Sequence, residues 1–239
     1  ILDGLPSDDQ QAVRAVVVTL MQGMETDLTT FPTEDSGQVV ALDSPQALDD
    51  YIYYVAGCVG EFWTAVSLSH TASLRHWDKA AMSALGVRFG KALQMTNVLR
   101  DVPKDLRMGR CYLTAEALSE LGLNPSDLLN ADNSDKARPA LVDGINLALD
   151  HYAAAKQYIL AIPRRNLRLR LAALWPVVIG LGTLAQLADN RQWLSPDSIS
   201  KVTRGWIYKV LLFSMLVGRS NRVLAWWIRR LRKGVESAL

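Results

Sequence analysis

Cysteine and histidine are both scarce. Cys58 and Cys111 stand in unrelated contexts, and His70, His76 and His151 are scattered along the chain. That scarcity excludes a disulfide framework, a paired-cysteine zinc site and a histidine-built metal centre, and it fits a reduced, cytoplasmic protein. An excess of one charge is lacking too. Basic and acidic residues number 26 and 24, for a net charge of +2, and 49% of residues are apolar. Such a chain is neither disordered nor a generic binder of nucleic acid. No run of about 18 apolar residues is free of charge, so no transmembrane span is expected. Sustained period-two alternation is missing, and no G-x-G-x-x-G follows a strand pattern, which removes the nucleotide-binding α/β folds.

What is present is helical periodicity. Val13, Val16, Val17, Leu20, Met21 and Met24 recur at three and four after a Ser7-Asp8-Asp9 start, predicting a first helix whose end carries Glu25 and Asp27. Acidic residues there oppose the helix dipole; a solvated helix end and a functional role both fit. Phe31 to Asp43 reads as a polar loop. Ser44-Pro45 is a cap with proline at the first helical position, opening a long helix to about His70. Within that helix Tyr51, Tyr54 and Glu61 share neighbouring positions, from which their polar tips are expected to face one cavity. Gly57 and Gly60 permit a close approach of either a neighbouring helix or a ligand. Val55, Val59 and Phe62 are apolar.

The next predicted helix, about Lys79 to Val102, ends in Gln94-Met95-Thr96-Asn97-Val98-Leu99-Arg100-Asp101-Val102-Pro103-Lys104-Asp105. Asn97, Asp101 and Asp105 fall four apart on one helix face, with Gln94 one turn behind. Two carboxylates and two amides converging there suit a hard cation such as Mg²⁺, and Arg100, Lys104, Arg107 and Arg110 suit phosphate oxygens. Alone, the pattern is equally a charged, solvated helix end. Pro103 should kink or end the helix, taking Asp105 off the ideal line. Short helices at 115–121 and 126–129 and longer ones at 141–160, 167–188 (interrupted by Pro176), 198–217 and 221–235 complete one all-α domain of about eight helices spanning residues 1–239.

Together these stretches resemble the squalene and phytoene synthase family. Tyr51 to Glu61 is similar to that family's Y-x-Y-x-V-A-G-x-V-G-E helix, and Gln94 to Asp105 to its second aspartate-rich motif. Gly109, Arg110 and Leu113 then fall on the G-R-x-Y-L that follows, and Gly23-Met24 with Asp27-Leu28 on a weaker third signature. The resemblance implies an isoprenoid-synthase helical bundle with a central cavity, in which two farnesyl diphosphates condense through presqualene diphosphate to squalene. It implies Tyr51 as catalytic residue, Mg²⁺ on Asp101, Asp105 and Asn97, and substrate contacts from Gln94, Arg100, Tyr54, Val55, Gly57, Val59 and Arg110.

Within the family, Ala173-Leu174-Trp175-Pro176 and Lys201 to Gly205 look like squalene synthase segments, implying NADPH at Lys201 and Arg204. Thr203 departs from the basic pattern there. Residues 1–50 hold no facing D-x-x-x-D pair, and Ile1 is an unusual start, so the first aspartate-rich motif is expected upstream of this chain. Alternatives are a synthase stopping at presqualene diphosphate, dehydrosqualene or phytoene, or a non-catalytic helical protein that binds isoprenoids or a membrane partner. The C-terminal stretch, with Trp226, Trp227, Ile228 and Leu231 among five basic residues, invites peripheral membrane contact, though its apolar side can equally pack on the domain.

Overall fold

The structure, a computed structural model, describes residues 2–33 and 36–239. Ile1, and Glu34 and Asp35 of the expected polar loop, lie outside the described residues. Ten α-helices are present among these: α1 (Ser7–Thr30), α2 (Pro45–Ile52), α3 (Cys58–His70), α4 (Lys79–Arg100), α5 (Val102–Arg107), α6 (Ala115–Glu120), α7 (Arg138–Ala161), α8 (Leu167–Asp189), α9 (Arg204–Val217) and α10 (Asn221–Glu236). A two-residue parallel ladder joins β1 (Val40–Ala41) to β2 (Arg110–Cys111), with Val40 opposite Arg110. The all-α expectation holds; the count of about eight helices does not, because the long helix from Pro45 is divided and a further short helix follows the break expected near Pro103.

The first division falls in the long helix from Pro45. A π-helical turn at Tyr53–Gly57 separates α2 from α3, and the Cys58 N–H reaches back to the Tyr53 carbonyl. Such turns insert a residue into a helix and shift the faces on either side of it. The second falls at Asp101, whose backbone (φ −92°, ψ 5°) ends α4 and caps α5, with Pro103 in the first turn of α5. Proline at that place gives up only an N–H that would have been unpaired anyway.

α4 lies between α3 and α7, with α8 alongside. Glycines make this crossing possible. A Cβ on Gly60 would stand 1.8 Å from the Gly86 carbonyl oxygen, and one on Gly90 would stand 2.2 Å from that of Ala56. The backbones of α3 and α4 therefore nearly touch. Of the two openings left for Gly57 and Gly60, a neighbouring helix fills this one.

α8 is long and apolar enough to cross a membrane, but 67% of its most apolar window is buried inside the protein. It is a core helix. Pro176 does not interrupt it, contrary to expectation; the missing N–H leaves the carbonyl of Ala172 without its usual intrahelical donor. The helix expected from Ser198 begins only at Arg204. Thr203 caps it, its hydroxyl accepting the Trp206 N–H at 3.2 Å, while Ser198 and Ser200 are tied to Asn190.

Candidate active site

Five segments converge at one end of α4: the last turn of α1, the end of α2, the α4–α5 junction, β2 and the residue after it. The ladder fixes β2 beside the α1–α2 loop. It requires Gly109 at φ +79°, where a Cβ would lie 2.8 Å from the Gln38 carbonyl oxygen. Arg110 then points its Nη1 at Asp27 Oδ2, 2.8 Å away. Asp27 Oδ1 receives the Tyr112 hydroxyl at 3.2 Å and that of Tyr51 at 3.4 Å, and the two phenol oxygens are 3.0 Å apart. Their rings stack with centroids 5.1 Å apart, and Phe31 meets Tyr112 edge-on at 5.3 Å.

Two phenolic protons serve three oxygen–oxygen contacts, so only two are hydrogen bonds at once. Tyr51 donates to Tyr112 and Tyr112 to Asp27, or Tyr112 donates to Tyr51 and Tyr51 to Asp27, or both phenols donate to Asp27. Burial raises the pKa of both phenols; for Tyr112 the contact with Tyr51 and the charge of Asp27 add to it. Both stay protonated at neutral pH. The Nε of Arg110 is buried without a partner. The Arg110 side chain is 28% exposed beside this cluster, and its guanidinium keeps donors beyond its contact with Asp27, which suits an anion.

The two aspartates of the α4–α5 junction behave differently. Asp101 is held by its neighbour, with Arg100 Nε to Oδ1 at 2.8 Å and Nη2 to Oδ2 at 2.5 Å. Hydrogen bonding to Asp101 raises the Arg100 pKa despite burial. Asp105 has no such partner. Burial, then the charge of Asp101, pushes its carboxyl up to about 6, with Asp27 adding further and Lys104 and Arg110 opposing. The break at Asp101 leaves the pair in register, since the Asp105 N–H still donates to the Asp101 carbonyl at 2.9 Å. Asn97 is exposed on the same side.

Next to this cluster, a groove of about 350 Å³ runs between α3, α4 and α8, lined by Val55, Val59, Gly60, Trp63, Phe89, Leu93, Gln94, Ala172 and Ala173 among others. Of the expected substrate contacts, Val55, Val59 and Gln94 line it. Gly57 does not; it is buried, with Val87 and Lys91 beside it, because it serves the helix crossing. Tyr54 lies against Gly23 of α1 and is absent from the lining, as is Phe62, which faces α1 with Cys58 and Glu61. Glu61 accepts from Tyr53 at 2.9 Å, so Tyr51, Tyr54 and Glu61 do not share a cavity. The π turn rotates these positions out of register with a simple helix.

Arg100 is engaged with Asp101 rather than open to substrate. Lys201 and Arg204 are exposed, flank the Thr203 cap and line neither the groove nor the acidic cluster. Asp27 and Tyr112 were not among the expected site residues, although Asp27 stands in the weak third signature and Tyr112 occupies the tyrosine of G-R-x-Y-L.

This arrangement is that of an isoprenoid-synthase helical bundle. Its fold aligns with TcSQS in complex with a ligand (TM-score 0.73, 20% identity, 100% of this chain and 72% of that one). It also aligns with a dehydrosqualene synthase in complex with a ligand (TM-score 0.60, 19% identity, 93% and 65%). Residues 3–206 match the squalene/phytoene synthase family model, and the chain belongs to that family. Among characterised relatives, the 15-cis-phytoene synthase of Synechocystis sp. is 31% identical over 186 residues, covering 74% of this chain and 52% of that protein. The bifunctional lycopene cyclase/phytoene synthase of Colletotrichum graminicola is 31% identical over 163 residues, covering 68% and 27%. The chain thus spans between a quarter and about half of these relatives' lengths.

Proposed function

We propose that this chain acts in the head-to-head condensation of two prenyl diphosphates, binding one diphosphate at the α4–α5 junction and its hydrocarbon tail in the adjoining groove. The observation that carries this is the polarity of α4. Gln94 lines the apolar groove, and Asn97 and Asp101 follow at successive turns into the carboxylate cluster. A prenyl diphosphate has the same polarity, an apolar tail ending in a hard anionic head.

The donor set fits Mg²⁺. Burial first, and then the charge of Asp101, leave the Asp105 carboxylate short of a counter-charge, and Asp101 and Asn97 add oxygens on the same face. Mg²⁺ takes one or two carboxylates and fills its shell with phosphate and water. When bound, it supplies a Lewis acid that neutralises the departing diphosphate. Arg110 would offer its exposed guanidinium donors to a phosphate oxygen, and Asp101, paired with Arg100 in this structure, would serve as a metal ligand in exchange for that pairing. Tyr51 takes up the proton that a substrate carbon loses as presqualene diphosphate closes its ring, and passes its own phenolic proton to the Asp27 carboxylate, directly or through Tyr112. Tyr112 and Asp27 also hold its hydroxyl in place. Val55, Val59 and Trp63 keep water from the reacting carbons.

At finer grain we favour farnesyl diphosphate as substrate and squalene as product. Support comes from the segment Lys201 to Gly205, whose two exposed cations suit the phosphate of NADPH. The phytoene synthases among the relatives favour a second reading, coupling without reduction. Product analysis with farnesyl or geranylgeranyl diphosphate, with and without NADPH, separates the two. Mg²⁺-dependent binding of inorganic diphosphate, by calorimetry, tests the shared reading; no binding in Mg²⁺ would sink it.

A further inference from the structure

Positive charge is gathered at one end of this chain. From Arg219 to Leu239 there are six basic side chains and one acidic one, Glu236, whereas the preceding 218 residues hold 20 basic and 23 acidic. The body is net negative and the tail carries the whole positive excess. α10 sorts these charges by face. Leu224, Trp227, Ile228 and Val235 are buried, the helix packing on α7 and α8. Arg232 is held by Glu236 at 2.7 Å and by the Leu149 carbonyl at 3.1 Å.

Arg222, Trp226, Arg229, Arg230 and Lys233 are exposed, and their spacing at three and four puts them on one side of the helix. None of those four cations has a carboxylate partner among the described residues. Trp226, 53% exposed in their midst, lines with Arg229, Arg230 and Lys233 a surface groove of about 720 Å³.

We propose that this face of α10 docks on an anionic bilayer, its cations among lipid phosphates and the Trp226 indole at headgroup level. An indole ringed by cations suits that layer, where aromatic rings gather and each basic residue gains from the surface potential. The apolar side of α10 is already used in the core, so the helix lies on the membrane without burying that side in it. Contact is electrostatic and reversible. A flat surface need meet only the cationic face of α10, whereas a long polyanion following the protein would also meet the net-negative body. That asymmetry favours a bilayer over nucleic acid. The inference goes beyond the condensation reading and does not depend on it.

The test is co-sedimentation of the full chain with vesicles of phosphatidylcholine alone or with phosphatidylglycerol at about a third of the lipid. Binding is expected only to the anionic vesicles, with loss as salt rises from about 0.1 to 0.5 M. The pair R229Q/R230Q should weaken partitioning about 25-fold, since each charge is worth about fivefold near such a surface. R222Q/K233Q on the same face should do the same. The control pair R14Q/R75Q, exposed elsewhere, should change little. Trp226→Phe should remove a blue shift in tryptophan emission seen on binding. All are surface positions, and far-UV circular dichroism checks that each variant folds. Equal binding to neutral vesicles, equal loss in the R14Q/R75Q control, or binding to duplex DNA but not to vesicles would each overturn the proposal.

Discussion

The two halves of the candidate site are built by opposite means. The groove exists because side chains are missing: Gly60, Gly86 and Gly90 let α3 and α4 cross almost backbone to backbone, and the space left beside that crossing is lined by Val55, Val59, Phe89 and Leu93. The polar end exists because side chains are crowded together. Asp27, Tyr51, Arg110 and Tyr112 meet within hydrogen-bonding range, and Asp105 is half-buried near them at a cost reflected in its raised pKa. Damage to the first should therefore appear as lost stability, and damage to the second as lost binding. A change that reversed those readouts would break the distinction.

The largest effect is expected at Gly60. In Gly60→Val the new Cβ meets the Gly86 carbonyl 1.8 Å away, and backbone cannot swing aside as a side chain can. Loss of about 4 kcal/mol or more, or failure to fold, is expected in urea titrations. Gly4→Ala, where a Cβ meets nothing within 4 Å, should leave the midpoint unchanged. A stable, folded Gly60→Val protein would show that the crossing is not what holds the groove open.

Asp105→Asn comes next and should do the opposite. Its ionised form is disfavoured in the folded protein, so at pH 7.5 the charge costs stability, and the amide removes that cost. The melting temperature in metal-free buffer should hold or rise. Mg²⁺-dependent affinity for inorganic diphosphate should fall about 100-fold. An unchanged affinity would remove Asp105 from the metal face.

These contrasts show why some of the molecule was legible in its sequence and some was not. Tyr51, Asp101 and Arg110 stand out in the sequence because they sit in dense motifs whose residue types suit diphosphate chemistry, and the fold gathers them at one end of α4. Gly57 was misjudged because a glycine looks the same whether it makes room for a helix or for a ligand; only the position of α4 tells them apart. Tyr54 and Glu61 were put on a shared cavity because a π turn leaves no clear mark on apolar periodicity, and it shifts every later side chain. Asp27 is 85 residues from Tyr112, and nothing in either neighbourhood announces that a two-residue ladder will bring them together.

A third prediction checks that α4 itself is not the weak point. On its side toward α7, Arg88 Nε donates to His151 Nδ1 at 3.4 Å. Burial first, and then the charges of Arg88 and Lys91, lower the His151 pKa to about 4. The unfolded chain takes up that proton near the ordinary value of about 6.5. Stability from this group is thus complete above pH 6.5 and is lost as pH falls toward 4, by up to about 3 kcal/mol. His151→Gln should flatten that part of the profile when urea midpoints at pH 7 and 4.5 are compared. If wild type and variant lose stability in parallel, the acid sensitivity lies elsewhere, in the carboxylates.

The smallest effect is the most informative about the polar end. Tyr112→Phe keeps the ring stacked on Tyr51 and edge-on to Phe31, and removes only the hydroxyl that bridges Tyr51 to Asp27. One hydrogen bond of this kind contributes about 1 kcal/mol. Its loss need not orphan anything, since Tyr51 can still donate to Asp27 by closing a 3.4 Å contact. The single change therefore understates the network, and a double-mutant cycle with Asp27→Asn measures it. If Tyr112 and Asp27 act together on Tyr51, the two changes should couple by about 0.5 kcal/mol or more. They should also lower turnover more than they weaken binding, because both act through the position of one phenol. Strict additivity in stability and turnover would reduce the cluster to neighbours that happen to touch, leaving Arg110 and the metal face of Asn97, Asp101 and Asp105 as the polar end's working parts.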